Sequence, residues 1–192
     1  MGGKSTVPEI KKDDWKDTAL RAHNKVRKLH NAPPLKYSKD LSMYAQNHAL
    51  YLKTKTKVHR SGMYCQGEHI GENIAERILP ASVKEYGGKD VTQDWYNEIE
   101  QYSYYDNDPP NRTKTKCRNF TQLIWKDTKE VGFGMTVKGR RVIVVACYKP
   151  VGNIKGKYPD NVLPRLVQEQ SERRFSKCLS PRDNESDEDD NI

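Results

Sequence analysis

Glu98 is the residue of this chain whose position most plainly asks for chemistry. With Val91, Trp95 and Tyr102 it falls at helical spacing on a stripe whose other members are apolar or aromatic. A carboxylate half-set into an apolar face needs donors or a cation, or else a raised pKa. The other reactive groups are scattered. Cys65, Cys117, Cys147 and Cys178 form no C-x-x-C pair, and their spacing resembles no zinc ribbon. Ser61 lies two residues from His59, but neighbours in sequence are not a nucleophile with its base and orienting group. Patterns of the type G-x-S-x-G, P-loop and H-E-x-x-H are absent, so the residues argue against an enzyme.

A second chemistry is modification and charge. Gly2 follows the initiator Met and Thr6 occupies the Ser/Thr position of the M-G-x-x-x-[ST] myristoylation pattern. Lys4, Lys11 and Lys12 follow closely, and one acyl chain beside a basic patch is a known two-signal membrane anchor. The net charge is +8, yet the last ten residues hold six acids and no base, which leaves +14 on the rest of the chain. A body this basic suits an anionic membrane face or another acidic partner. No helix-turn-helix, zinc-finger or RNA-recognition signature supports nucleic acid as that partner.

No apolar run reaches the roughly 18 residues of a membrane span, and residues 1–10 contain no apolar signal core. The expectation is a cytosolic protein with free thiols. The sequons at Asn111 and Asn119 keep secretion as the alternative. The chain divides into a basic N-terminal segment 1–14, a globular domain 15–164 and an acidic tail 165–192, with 163–167 expected to dock on the domain. I/i+4 patterning predicts a helix over about 15–31 through Trp15, Ala19, Ala22, Val26 and Leu29, with Arg21, Lys25 and Lys28 on another face. Ser38 caps a second helix, whose face is Leu41, Ala45, His48 and Leu52. The helix carrying Glu98 begins near Ser82 or Asp90 and reaches Tyr102. Val131–Val137 alternates as a strand, and Val142–Tyr148 reads as a central strand paired with it through Lys138-Gly139-Arg140. Helices followed by a short antiparallel sheet predict an α+β domain.

Four segments together carry a family resemblance: Ala22-His23-Asn24-Lys25-Val26-Arg27; Gly71-Glu72-Asn73-Ile74-Ala75; Trp95-Tyr96-Asn97-Glu98-Ile99; and Cys117-Arg118-Asn119-Phe120-Thr121-Gln122-Leu123-Ile124-Trp125, which is followed by Val131-Gly132-Phe133-Gly134 and Tyr148-Lys149-Pro150-Val151-Gly152-Asn153. In order and spacing they resemble the CAP superfamily of cysteine-rich secretory, antigen 5 and pathogenesis-related proteins. The resemblance is nearest to the intracellular Golgi-associated branch; the alternative is a secreted venom allergen-like effector that binds extracellular or host proteins. It implies a three-layer α-β-α sandwich around a central antiparallel sheet. It also implies a cleft of two His and two Glu that can hold a divalent metal, carried here by His59, Glu72, Glu98 and Asn119. Asn119 stands where the family has its second His, and an amide is a poor zinc ligand. The expectation is therefore no cofactor and no tight metal, with His59 and the two carboxylates left as a weak divalent site. Binding of anionic lipid, sterol or fatty acid, self-association as a homodimer, and residence on the cytoplasmic face of Golgi membranes are likewise what the resemblance implies.

Overall fold

The chain is described from a computed structural model that covers residues 15–62, 64–65, 67–83, 86–104 and 117–166. In chain order the elements are α1 (Trp15–Leu29), β1 (Lys36–Tyr37), α2 (Lys39–Lys53), β2 (Tyr64–Cys65), β3 (Glu68–His69), β4 (Gly71–Ile78), α3 (Gly88–Asn97), a 3₁₀ turn (Glu98–Gln101), α4 (Arg118–Ile124), β5 (Glu130–Lys138), β6 (Arg141–Lys149) and α5 (Tyr158–Asn161). No helix among the described residues is long and apolar enough to cross a membrane.

Strand β6 organises the layers. Its run Val142–Tyr148 is buried throughout, and successive side chains point to opposite faces. Ile143, Val145 and Cys147 pack with Leu41, Ala45, Ala49 and Leu52 of α2 on one side. Val142, Val144, Ala146 and Tyr148 pack on the other with Trp15 of α1, Trp95 of α3 and Phe120 of α4. This is the three-layer sandwich that the resemblance implied. Helix α2 approaches β5 so closely that a Cβ on Gly132 or Gly134 would run into the α2 backbone at Leu41–Ser42 and Ala45–Gln46.

The sheet order is β1-β5-β6-β4. Strands β5 and β6 form the expected antiparallel hairpin, and β4 pairs antiparallel with β6 from Gly71↔Tyr148 to Ile78↔Arg141. Contrary to the expected all-antiparallel sheet, β1 runs parallel to β5, so the sheet is mixed at that edge. The third helix also differs from its expected form. It begins at Gly88, with the Asp90 carboxylate accepting from Gly87 N at 2.8 Å, and it tightens into the 3₁₀ turn at Glu98 rather than continuing to Tyr102.

Helix α1 carries the least expected burial. His23 and Arg27, read as members of a motif, are fully buried, whereas Ala22 and Leu29 are only half-buried. Arg27 projects onto the end of α4, where its guanidinium donates to the carbonyls of Pro33, Leu123, Trp125, Lys126 and Thr128. A helix leaves its last carbonyls without internal partners, and a fixed fork of N–H donors collects several at once. Burial pulls the Arg27 pKa down to about 10, so it is a cation at neutral pH. Beyond the sheet, Leu166 N donates to Leu29 O at 2.8 Å and a ring nitrogen of His30 lies 2.7 Å from Leu163 O, which docks 163–166 on the end of α1. Residues 1–14, with Gly2, Thr6, Lys4, Lys11 and Lys12, lie outside the described residues, as do Asn111, Cys178 and 167–192.

Candidate functional site

The cleft is built where the end of α3 meets the start of α4. Glu98, at the point where α3 tightens, presents its carboxylate to the first turn of α4. Asn119 N and Phe120 N donate to Oε2 at 2.9 and 3.1 Å, and the Asn119 side-chain amide donates to Oε1 at 2.7 Å. Burial nevertheless raises the Glu98 pKa, outweighing those three hydrogen bonds and the nearby Arg60 charge. The half-buried carboxylate read from the sequence thus finds its partner in Asn119.

Glu72 stands on β4 and is buried. It accepts from Ser61 N at 2.7 Å and Ser61 Oγ at 2.9 Å, and His48 Nε2 of α2 lies 3.5 Å from its Oε1. Arg60 joins the two halves. Its Nη2 donates to Asn119 Oδ1 at 2.9 Å, and its guanidinium lies within Coulombic reach of Glu72 and Glu98, opposed by Arg118. Neighbouring Asn73 ties the cleft to the core: its Nδ2 donates to Asn119 O at 2.9 Å and to the Tyr148 hydroxyl at 3.1 Å. That hydroxyl in turn lies 3.0 Å from His23 Nε2. Burial lowers the His23 pKa to about 3, so the imidazole is neutral and accepts from Tyr148, while Nδ1 faces Ala19 O at 2.8 Å.

Three of the four expected cleft residues, Glu72, Glu98 and Asn119, therefore sit in one network. His59 does not. Its carbonyl accepts from His48 Nε2 at 2.9 Å, and its ring packs edge-on against Tyr51 and His48, with centroids 5.7 and 6.0 Å away. The variable gap before Gly71 hid the register: Arg60 and Ser61, one and two positions later, are the residues that turn into the cleft. His69, the other candidate, is exposed and lies against Tyr64. Sequence reasoning also missed His48. The signal was available, because His48 breaks an apolar stripe just as Glu98 does. Among the described residues no three His, Cys, Asp or Glu side chains meet as a metal site. The donor set suits a tight divalent site poorly: the Asn119 carbonyl accepts from Arg60, and the imidazole beside a cleft carboxylate is that of His48, 3.5 Å from Glu72.

The basic candidates lie elsewhere. Arg21, Lys25 and Lys28 are all exposed along α1, and a hollow of about 340 Å³ opens at its C-terminal end between Asn24, Lys28, Asn31 and Pro33. The sequon at Asn119 is occupied by structure, since its amide is bound to Glu98.

The comparisons agree with this architecture. The chain is 34% identical over 148 residues to the Golgi-associated plant pathogenesis-related protein 1 of Homo sapiens, covering 76% of this chain and 90% of that one. The solved structure of Schistosoma mansoni venom allergen-like protein 4 superposes with a TM-score of 0.59 at 22% identity, covering 82% of this chain and 99% of that one. The crystal structure of NaASP2 with Zn²⁺ superposes with a TM-score of 0.60 at 18% identity, covering 80% and 87%. The profile of the cysteine-rich secretory protein (CAP) family matches residues 20–148, and with these relatives it shows that the chain belongs to the CAP family.

Proposed function

We propose that this is a non-enzymatic CAP-domain protein that binds membranes peripherally through anionic lipid, on the cytoplasmic face of the Golgi. The observation that carries the reading is the exposed Arg21, Lys25, Lys28 stripe on α1, in a body that bears +14 outside its acidic last ten residues. Juxtaposed lysines and arginines gain about 1 kcal/mol each near an anionic leaflet. The name of the human relative supports the Golgi as the membrane. Gly2 and Thr6 supply the acylation pattern that would convert weak electrostatic attachment into stable anchoring. Sterol or fatty acid binding and homodimer formation belong to the same reading. The cleft supports the non-catalytic part: the Ser61 hydroxyl donates to Glu72, and the carboxylates are held by hydrogen bonds rather than poised against a nucleophile.

Flotation with phosphatidylserine or phosphoinositide vesicles tests the proposal. The wild-type protein should float at low salt and be released as salt screens the charges. Charge reversal at Arg21, Lys25 and Lys28 should abolish flotation of the unacylated protein, and Gly2→Ala should reduce membrane partitioning of the protein made in cells. Absence of flotation at low salt would overturn it.

A further inference from the structure

The two cleft carboxylates raise a question that hydrogen bonds alone do not answer. Glu72 is buried and Glu98 half-buried, and a carboxylate drawn out of water is costly unless hydrogen bonds or a nearby cation offset the loss. Among the described residues no three His, Cys, Asp or Glu side chains gather there. His48 and His59 contribute a ring nitrogen beside Glu72 and a backbone carbonyl, respectively. The group that does reach both halves is Arg60. It is hydrogen-bonded to Asn119 Oδ1 at 2.9 Å, Asn119 is bonded to Glu98, and Ser61, the next residue, fastens the same loop to Glu72 through both its backbone N–H and its hydroxyl.

We infer that Arg60, bonded to Asn119 beside Glu98 and adjoining the Ser61 that holds Glu72, is the built-in cation of this cleft and supplies the positive charge a divalent ion would otherwise bring. The cleft is closed on itself. Asn119 is then not a damaged metal ligand but the matched acceptor for Arg60: its carbonyl oxygen takes the guanidinium proton while its amide protons serve Glu98. A neutral imidazole at 119 also carries one acceptor and one donor nitrogen, but they diverge across a ring instead of forking from one carbon toward Arg60 and Glu98. Arg60 and Asn119 therefore act as a pair, and restoring the histidine alone does not restore a metal site.

Thermal unfolding of the full chain with and without stoichiometric zinc chloride tests this. Wild type and Asn119→His should both be indifferent to zinc. Arg60→Gln, which keeps an amide donor but loses the charge, should lose roughly 3 °C in Tm. Arg60→Lys should stay near wild type. In Arg60→Gln/Asn119→His, zinc should raise Tm by several degrees, because the ion replaces the missing guanidinium. His59→Ala in that background should leave the zinc response intact, since its ring packs on Tyr51 and His48. A zinc-dependent rise in wild type, or in Asn119→His with Arg60 present, overturns the inference. So does an Arg60→Gln protein as stable as wild type. Should the Arg60→Gln variants fail to fold, Asn119→His alone still decides: indifference to zinc supports a resident cation, and stabilisation refutes it.

Discussion

Two arginines face opposite kinds of acceptor, and the contrast separates what holds this molecule together from what tunes its cleft. Arg27 is wholly buried in the layer of α1, α3 and α4, and its hydrogen bonds run to five backbone carbonyls. Arg60 is exposed at the other end of the network and meets an amide oxygen with two carboxylates in Coulombic reach. A guanidinium among carbonyl dipoles is a packing element: removing it leaves acceptors stranded in the interior at any pH. A guanidinium facing carboxylates is an electrostatic element, whose worth depends on their ionisation and on solvent screening. The same guanidinium chemistry thus yields stability where it is buried and a pH-sensitive balance where it is exposed.

The largest expected effect tests the first half of that contrast. Arg27→Met fills the volume but strands the carbonyls of Leu123, Trp125 and Thr128, and should cost about 3–5 kcal/mol in urea unfolding. Arg27→Lys keeps the charge without the fork geometry and should recover only part of the loss. Both profiles should run parallel to wild type across the carboxylate titration range, because no carboxylate is involved. A loss below about 1 kcal/mol would mean that the carbonyls are satisfied otherwise and that Arg27 is not a packing element.

Much of this was legible in the sequence, for reasons that differ by element. The β5–β6 hairpin announced itself because alternating and continuous apolar runs flank a glycine at φ +60°. The cap of α2 was equally plain, since the Ser38 side chain accepts from Leu41 N. Strand β4 was not read as a strand at all. Its buried residues include Glu72 and Asn73, and its last three, Glu76, Arg77 and Ile78, are exposed with two charges among them, so neither alternation nor an apolar run survives. The parallel edge β1 is two residues long and has no pattern to display. At the site, Glu98 was visible as a carboxylate on an apolar stripe, but Arg60 and Ser61 lie in a loop whose course is fixed by what they bond, not by periodicity. Motif spacing therefore pointed at His59, one position short of the residue that enters the cleft.

A smaller effect probes the electrostatic half. The folded pKa of Glu98 is raised, so its contribution to stability is fully present below the unfolded value near 4.5 and is lost as pH rises through the raised folded value. Glu98→Gln has no proton to lose. Relative to wild type it should gain stability as pH climbs through that window, and the crossing should be visible in thermal melts at a series of pH values. The change should be smaller than the Arg27→Met loss, because three hydrogen bonds and Arg60 already offset part of the burial cost. A constant difference between Glu98→Gln and wild type from acid to neutral pH would place Glu98 in the same class as Arg27 and erase the contrast.

The least effect is expected at Cys117, and it discriminates between two physical causes. This thiol stands at the N-cap position of α4, where the helix dipole favours a thiolate and ordinarily lowers the pKa. Here it is pushed the other way, to about 11, first by burial and then by the negative charge of Glu98. A short helix of seven residues gives little dipole to oppose those two. Native Cys117 should therefore react with iodoacetamide far more slowly than the same thiol in the urea-unfolded chain at mildly alkaline pH, as read by mass spectrometry of the labelled peptide. Glu98→Gln should raise the native rate modestly, since it removes the charge but not the burial. Equal rates for the native and unfolded thiol would show that the α3–α4 junction opens readily. In that case the hydrogen bonds from Asn119 and Phe120 to Glu98 would not hold the cleft shut, and Arg60 would be left to hold it by charge alone.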